Sequence, residues 1–412
     1  MSTLITAAQP RERAAPSGAG LSSAVPVTCS VVSNAQELQR RVPEWCDLLQ
    51  RSTDNQLMCS PTWLLPWWRI YGWGRELRVG LFRERGRLVG LAPFQRRRFW
   101  HRRCLPFRRL EPLGADVDEG DGVGSQYLGV IAERGTEDRV AHALAIAVAA
   151  GGFGTCDEIV VSMMGGDGPM PGLLRAAFDR AGLAAECQQI DTAPYIPLPA
   201  TWDAYLEGLA KKERYFVRRS LRDFESWASG DAQVQRVTCP SELAPGQRIL
   251  TALHVERWSR EGHSGAYRSP RFGAFHDAAL PDLLSRGALQ LWWRSVRGDP
   301  VAASYNLLWN GRVLVYQTGR KLDVPRGIRP GIVLHIHLIR AASEAGHREY
   351  DFLRGPAQYK SQLAPASRPL VQVRAARPSL LEHARSLLEA GIARTRPIRR
   401  VARNLVRRCR LR

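Results

Sequence analysis

An α/β fold, with central mixed sheets flanked by helices and arranged as two tandem units, is predicted by three observations. Apolar residues alternate between a helical and a strand period along most of the chain. The same order of elements occurs once in each half. The 412 residues also exceed what one core usually serves, since domains run to roughly 150 residues.

Residues 1–26 are rich in Ala, Ser, Pro and Gly and read as a flexible leader. Arg11 and Arg13 precede no sustained apolar core, so a secretory signal is not expected. From Val27 the pattern becomes regular. "AQELQRRVPEWCDLLQRS" predicts a helix, and "PTWLLPWWRIYG" a second one opened by Pro61 at a favoured first-turn position. "ELRVGLFRERGRLVGLAPFQRRR" predicts a strand, a turn at Gly86 and a second strand ending near Pro93. "VAHALAIAVAAGGFGTCDEIVVSMM" then predicts a helix that stops at glycine and leads into a strand. The second half repeats the phrase. "ALQLWWRSVRGDPVAASYNLLWNGRVLVYQTGR" predicts strand, Arg-Gly turn and strand, with a third strand after the hairpin signal Asn310-Gly311. "GIVLHIHLIRAASEAGHREYDFLRG" follows as helix, glycine stop and strand. This repetition implies an internal duplication, with units at 27–193 and 194–375.

Between the halves, Thr201 to Trp227 predicts a helical segment with Leu209, Phe216, Ser220 and Phe224 turned inward. Lys211, Arg214, Arg218 and Arg222 recur at spacings of three and four and line one face. Both a solvated face and a phosphate-binding edge fit them. The last stretch, 376–412, is a basic tail. From Ser379 it holds ten arginines against Glu382 and Glu389. Leu380, Leu381, Ala384, Leu387, Leu388 and Ile392 keep a helical period, as do Ile398, Val401, Leu405 and Val406 after Pro397. Such a basic amphipathic helix suits an anionic membrane surface, RNA or a partner, and equally a loosely packed terminal helix.

The net charge is +20, and all but four of the 59 basic residues are arginine; the lysines are Lys211, Lys212, Lys321 and Lys360. That balance attracts phosphates, anionic lipids and acidic polymers. None of the eight cysteines forms a C-x-x-C pair, which excludes a zinc ribbon or a thioredoxin-type motif and suits cytosolic thiols. The longest apolar stretch, "AHALAIAVAAGGFG", is shorter than the roughly 18 residues of a spanning helix. A cytoplasmic location is expected, with the tail offering a peripheral hold on the inner face of the membrane. "GHSG" at Gly262 to Gly265 lacks one residue of a hydrolase elbow. "GADVDEGDGVG" has Tyr127, not Glu, where a calcium loop needs its twelfth residue; its acids Asp116 to Asp121 suit an exposed turn or the steering of an amine acceptor. His335 and His337 fall on different helix faces. No metal site is expected.

One segment retains a chemical reading. In "YQTGRKLDVPRGIRPGIVLHIHLIRAASEAG" a strand ends near Gly319, a Gly/Pro/Arg loop follows, and a helix starts around Gly331. The free N–H groups at such a helix start hold a diphosphate. Gly327 and Gly331 allow close approach, and Arg326 and Arg329 supply charge.

The order strand, strand, strand, phosphate-type loop, helix, strand resembles the GNAT acyltransferase superfamily. "SPTWLLPWW", "LVGLAPF", "LAKKERYFVRRSLRDFE", "LHVERW", the run from "GALQLWW" to "YDFLRG", and "YK" together resemble its CelD-type acetyltransferase branch of cellulose and exopolysaccharide biosynthesis, which is similar to the FemAB peptidyl transferases. The resemblance implies two tandem GNAT-like domains, the second holding acetyl-CoA or another acyl-CoA as donor and needing no metal. It places the pantetheine arm along "VLVYQTG", including Gln317 and Thr318, and the pyrophosphate at Gly327 to Gly331 and Ile332. Pro330 before Gly331 departs from the usual loop of closely repeated glycines. The resemblance also sets Tyr359 and Lys360 beside the reacting carbonyl, where a lysine offers a compact charge to an oxyanion. Asp351 is expected as general base or as the group that positions the acceptor, or else bonded to backbone amides. Glu256 is a reserve base. His254 and Arg257 share a face of "LHVERW" and suit substrate binding or a core ion pair. The implied reaction is acyl transfer to an amine or hydroxyl, in polysaccharide or envelope synthesis. An aminoacyl-tRNA-dependent transferase of the FemAB kind, or a non-catalytic nucleic-acid or membrane-surface module, would also carry this charge.

Overall fold

The computed structural model describes residues 26–116, 121–260, 262, 265–355 and 357–392. The leader to residue 25, the tail from 393, Asp118 of the acidic loop, His263 and Ser264 of "GHSG", and Pro356 lie outside the described residues.

In the first half, strand β1 (Thr28–Val32) leads to helices α1 (Ala35–Arg40), α2 (Val42–Arg51) and α3 (Pro61–Tyr71). Strands β2 (Glu76–Glu84), β3 (Arg87–His101), β4 (Leu105–Pro112) and β5 (Ile131–Ala132) follow. Helix α4 (Glu137–Ala149), strand β6 (Glu158–Gly165), helix α5 (Met170–Arg180) and strand β7 (Ala184–Pro197) complete it. The second half opens with helices α6 (Trp202–Gly208) and α7 (Lys211–Ala228), strand β8 (Ala232–Arg236), and helices α8 (Pro240–Arg260) and α9 (Pro270–Ser285). Strands β9 (Leu289–Val296), β10 (Asp299–Trp309) and β11 (Arg312–Arg320) come next. Helix α10 (Pro330–Glu344), strand β12 (Glu349–Asp351), helix α11 (Gln358–Leu363) and strand β13 (Ala366–Ala376) follow, and a helix over residues 380–392 ends the described order.

Local chemistry explains where these differ from expectation. The single helix expected over 35–52 is two. The Asn34 side chain caps α1 by accepting from Gln36 N–H at 2.8 Å and Glu37 N–H at 3.2 Å. The chain restarts at Arg41, because Pro43 has no N–H to continue the ladder. The segment from Thr201 also divides, at Leu209 and Ala210. Its inward side is Val217, Ser220 and Phe224, with Phe216 half-buried. Strand β3 does not stop near Pro93 but runs on to His101 and turns back into β4, a hairpin its many arginines concealed.

All strands among the described residues join one mixed sheet in the order β1-β2-β3-β4-β6-β13-β7-β12-β11-β10-β9-β8, with β5 beside β3. The last strand, β13, therefore lies between two strands of the first half. Two parallel pairings are short. β4 meets β6 only at Arg109 and Leu110, and β11 meets β12 only over Arg312–Leu314. Beyond Leu314 the edge of β11 that faces β12 has no strand partner, which opens a cleft from Val315 to Arg320. A bulge at Tyr316, where the register with β10 jumps, twists this edge further. The halves are also joined by an aromatic core between α3 and α9, in which Trp63 meets Phe275 at 4.8 Å and Tyr316 at 5.4 Å.

Candidate active site

The cleft in β11 is the floor of two cavities. The first, about 310 Å³, is lined by Ser304, Thr318, Gly319, Arg320, Arg329, Gly331, Ile332, His335 and Tyr359, among others. The second, about 460 Å³, lies toward the first half and is lined by Val123, Gln126, Trp258, Tyr316, Gln317, Leu353, Arg354 and Lys360, among others. Arg257, Thr318, Ala357 and Tyr359 line both. The cavities therefore meet where β11 and β12 part.

The first cavity ends on the start of α10. That helix has no side-chain cap and no acidic residue in its first turn. Pro330 lacks an N–H, so the N–H groups of Gly331 and Ile332 are the first available there. Arg329 sits beside them, its guanidinium donating to Gly327 O at 3.1 Å and lying 5.4 Å from the Phe216 ring. Gly327 holds φ 96°, a conformation that favours glycine. Arg326 and Gly327 are exposed and do not line the cavity. The matching helix of the first half, α4, carries Glu137 and Asp138 in its first turn, which repel a diphosphate. Gly319 brings β11 against α8: a Cβ there would stand 2.6 Å from His254 N and 2.7 Å from Leu253 Cβ.

The end of β12 is held by a closed set of bonds. Asp351, at 0% exposure, accepts from Tyr127 O–H at 2.7 Å, Arg312 at 3.0 Å and Leu353 N–H at 2.8 Å. Arg354 N–H donates to the Gln126 side chain at 2.7 Å, and Phe352 N–H to Pro194 O at 2.9 Å. Lys360 closes the set. Its Nζ donates to the carbonyls of Phe352, Leu353 and Arg354 at 2.9, 3.1 and 2.7 Å. Three protons meet three carbonyls, which a planar guanidinium cannot reproduce. Lys360 is 8% exposed, and burial pushes its ammonium down to about 8, opposed by Asp351 and Asp191 and aided by Arg257.

These bonds occupy two residues expected at the site. Asp351 lines neither cavity and both its oxygens are engaged, Oδ1 by a backbone amide. Lys360 lines the second cavity, and its ammonium protons are directed to three main-chain carbonyls. Glu256 lines neither cavity; it accepts from Leu322 N–H at 3.4 Å and pairs with Arg260 at 3.9 Å, holding the loop after β11. His254 is buried, bonded to Gln317 and pushed down to about 4 by burial and then by the Arg257 charge. It positions Gln317 and stays neutral. On α7, Arg214 bonds the carbonyls of Leu206, Glu207 and Leu209 and closes the turn between α6 and α7. Lys211, Arg218 and Arg222 are exposed, and none of the four lines a cavity. Asp116 pairs with Arg354 at 2.9 Å, while Asp121 bonds Ser269 and Arg271, so the described acids of that loop tie the halves together.

Sequence reasoning missed His335 and the first-half wall of the second cavity. His335 lines the first cavity, its Nδ1 lies 2.9 Å from Tyr350 O–H, and it stacks on Tyr359 at 5.3 Å and 15°. Burial, then the charges of Lys360 and Arg257, push it down to about 3, so it is neutral. The ring of His337 lies elsewhere, 6.3 Å from Trp292. The spacing of "HIH" excluded a shared metal but held no sign that His335 alone faces the cleft. Among the described residues no group of three or more His, Cys, Asp or Glu could hold a metal, and no helix is long and apolar enough to cross a membrane.

With this geometry in place, residues 211–361 match the family model of the Acetyltransferase (GNAT) domain. The match lies within the second half and covers less than half of the chain, and the α/β, GNAT-like fold is as expected. A comparison with curated proteins found no match. Among solved structures, FemX is similar over 81% of this chain and 95% of its own, at 11% identity and a TM-score of 0.57. The C-terminal domain of a putative lysylphosphatidylglycerol synthetase from Agrobacterium fabrum aligns over 86% of this chain and 96% of its own, at 11% identity and 0.48. A tandem GNAT protein from the clavulanic acid biosynthesis pathway aligns over 86% and 99%, at 14% identity and 0.42. At these identities the likeness to FemX speaks for the fold alone.

Proposed function

We propose that the protein transfers an acetyl or other acyl group from acyl-CoA, held in the first cavity, to an amine or hydroxyl acceptor in the second. The observation that carries this reading is the shared wall of Arg257, Thr318, Ala357 and Tyr359, where two cavities meet at the parted strands. Gly331 and Ile332 N–H groups with Arg329 suit the diphosphate, and Arg326 stands in the same loop. The unpaired edge of β11 at Gln317 and Thr318 suits the amide-bearing pantetheine arm, which can hydrogen-bond as an added strand would. The acceptor's lone pair attacks the thioester carbonyl, the C–S bond breaks, and the acceptor's proton leaves with the thiolate or through the second cavity. Tyr359, which burial keeps protonated, stands at the junction to give its phenol proton to the leaving sulfur and to regain one from the proton the acceptor sheds. Arg257 and Lys360 add positive potential where the oxyanion develops.

In this reading the chain divides into units at 27–193 and 194–375 that exchange strands, and only the second holds a donor. The acceptor is a sugar or polysaccharide precursor of the envelope, as the CelD-type resemblance implies, and the setting is the cytoplasm. Titration calorimetry with acetyl-CoA tests the donor. Saturable binding that falls at least about 100-fold in Gly331→Glu, which sets a carboxylate against the helix start, supports the reading. Absence of binding, or transfer that requires charged tRNA, overturns it.

A further inference from the structure

Far from the cleft, β3 and β4 overhang the sheet. β3 pairs with β2 only as far as Arg96, and β4 pairs with β6 only from Arg109. From Phe99 to Phe107 the two strands pair only with each other, through Phe99↔Phe107, Trp100↔Pro106 and His101↔Leu105. One face of this ribbon is covered. Residues 380–392 form a helix whose Glu389 accepts from Arg102 at 3.0 Å and lies 2.9 Å from His101 Nε2. The other face is left uncovered among the described residues. It presents Trp100, 52% exposed, beside an exposed Arg98.

The charges divide in the same way. Arg96, Arg97, Arg102, Arg108 and Arg109 are paired with Glu76, Glu111, Glu389, Asp157 and Glu158. Arg98 and Arg103 carry no ion pair among the described residues. The helix clamped to the ribbon shows Leu380 and Leu387, 90% and 61% exposed, seven residues apart on one face. The sequence that follows Ile392 holds nine arginines and no acid, and it leaves the described fold one turn beyond the Glu389 clamp. Arginines without an ion pair among the described residues and an exposed tryptophan thus stand on the ribbon, and exposed leucines on the helix that covers its other face.

We infer that this end of the molecule, the β3–β4 ribbon with the helix clamped to it, docks on an anionic lipid surface. Arginines beside an anionic leaflet are attracted through the surface potential. A tryptophan on a projecting ribbon suits the headgroup region, where an amphipathic ring is at home. Exposed leucines add apolar area that enters lipid, and RNA offers them nothing comparable. The surface lies away from both cavities, so the docking and the transferase reading stand or fall separately.

Sedimentation of the full chain with vesicles tests it. Vesicles of phosphatidylcholine with about 30% phosphatidylglycerol should bind, and pure phosphatidylcholine should bind at least about tenfold more weakly, with binding falling as salt rises. Arg98→Glu with Arg103→Glu should weaken binding about tenfold or more, and Trp100→Ala should weaken it without changing its salt dependence. All three positions are exposed, and an unchanged circular dichroism melt shows that the variants fold. Brominated lipid should quench wild type more than Trp100→Phe. Equal binding to neutral vesicles, unaltered binding by the ribbon variants, or a ribbon-dependent grip on RNA with none on vesicles overturns the inference.

Discussion

Replacing Asp351 by asparagine separates a positioning group from a base. The native Oδ2 accepts from both Tyr127 O–H and Arg312, and Oδ1 accepts from Leu353 N–H. An asparagine can copy only half of this. With its oxygen toward Tyr127 and Arg312, its NH₂ meets the Leu353 N–H; turned over, its NH₂ meets the Arg312 guanidinium. Either way two donors face each other in a site with no exposure, and Arg312 loses one of its two anionic partners, keeping Glu349 at 3.1 Å. One lost charge-assisted bond and one unsatisfied donor together cost about 2–4 kcal/mol. Urea denaturation followed by circular dichroism should show the unfolding free energy falling by that amount, as a lower midpoint at constant slope. Residual transfer should keep the wild-type pH profile. A variant of undiminished stability whose kcat drops by about 10²–10⁴, with loss of one limb of that profile, would make Asp351 the base and refute the argument.

Lys360 titrates at about 8 in the fold against 10.5 ordinarily. Between those values the unfolded chain holds a proton that the folded chain has released, so stability rises with pH through that window, by up to about 3 kcal/mol. Denaturation midpoints from about pH 7.5 to 10 should show this rise in wild type and not in Lys360→Met. At neutral pH the same variant leaves three buried carbonyls without their donor and should be destabilised by about 2–4 kcal/mol in urea titrations. In Gly319→Ala the new methyl meets the His254 backbone nitrogen at 2.6 Å, so β11 must move from α8. A loss of about 1–3 kcal/mol with weaker acetyl-CoA binding is expected, checked by melting and calorimetry. Unchanged values would mean that the strand edge is not set by this contact.

The sequence announced what depends on local pattern. Pro61, the Asn310-Gly311 turn and the loop before Gly331 each mark their element through backbone rules that need no tertiary context. It did not show what depends on meeting across the chain. For Asp351 a bond to backbone amides was among the expectations, but its partners Tyr127 and Arg312 were not, because both are distant in sequence. Lys360 stood out as a rare lysine, but its three acceptors are main-chain atoms, which no residue type advertises. The β3–β4 ribbon was hidden for a different reason. Its covered face, Phe99 and His101, alternates with arginine and tryptophan, and consecutive arginines blur a period of two.

The position of β13 governs when the molecule can be built. It occupies the slot between β6 and β7, pairing with Met164 and Gly165 on one side and Ala184 to Tyr195 on the other. A ribosome must therefore release nearly the whole chain before the early part can close its sheet. Until then the nascent protein shows a raw strand edge, and a fragment cut after β7 keeps it permanently. Expressing the halves apart should give sticky, poorly soluble pieces that recover only when both are present together.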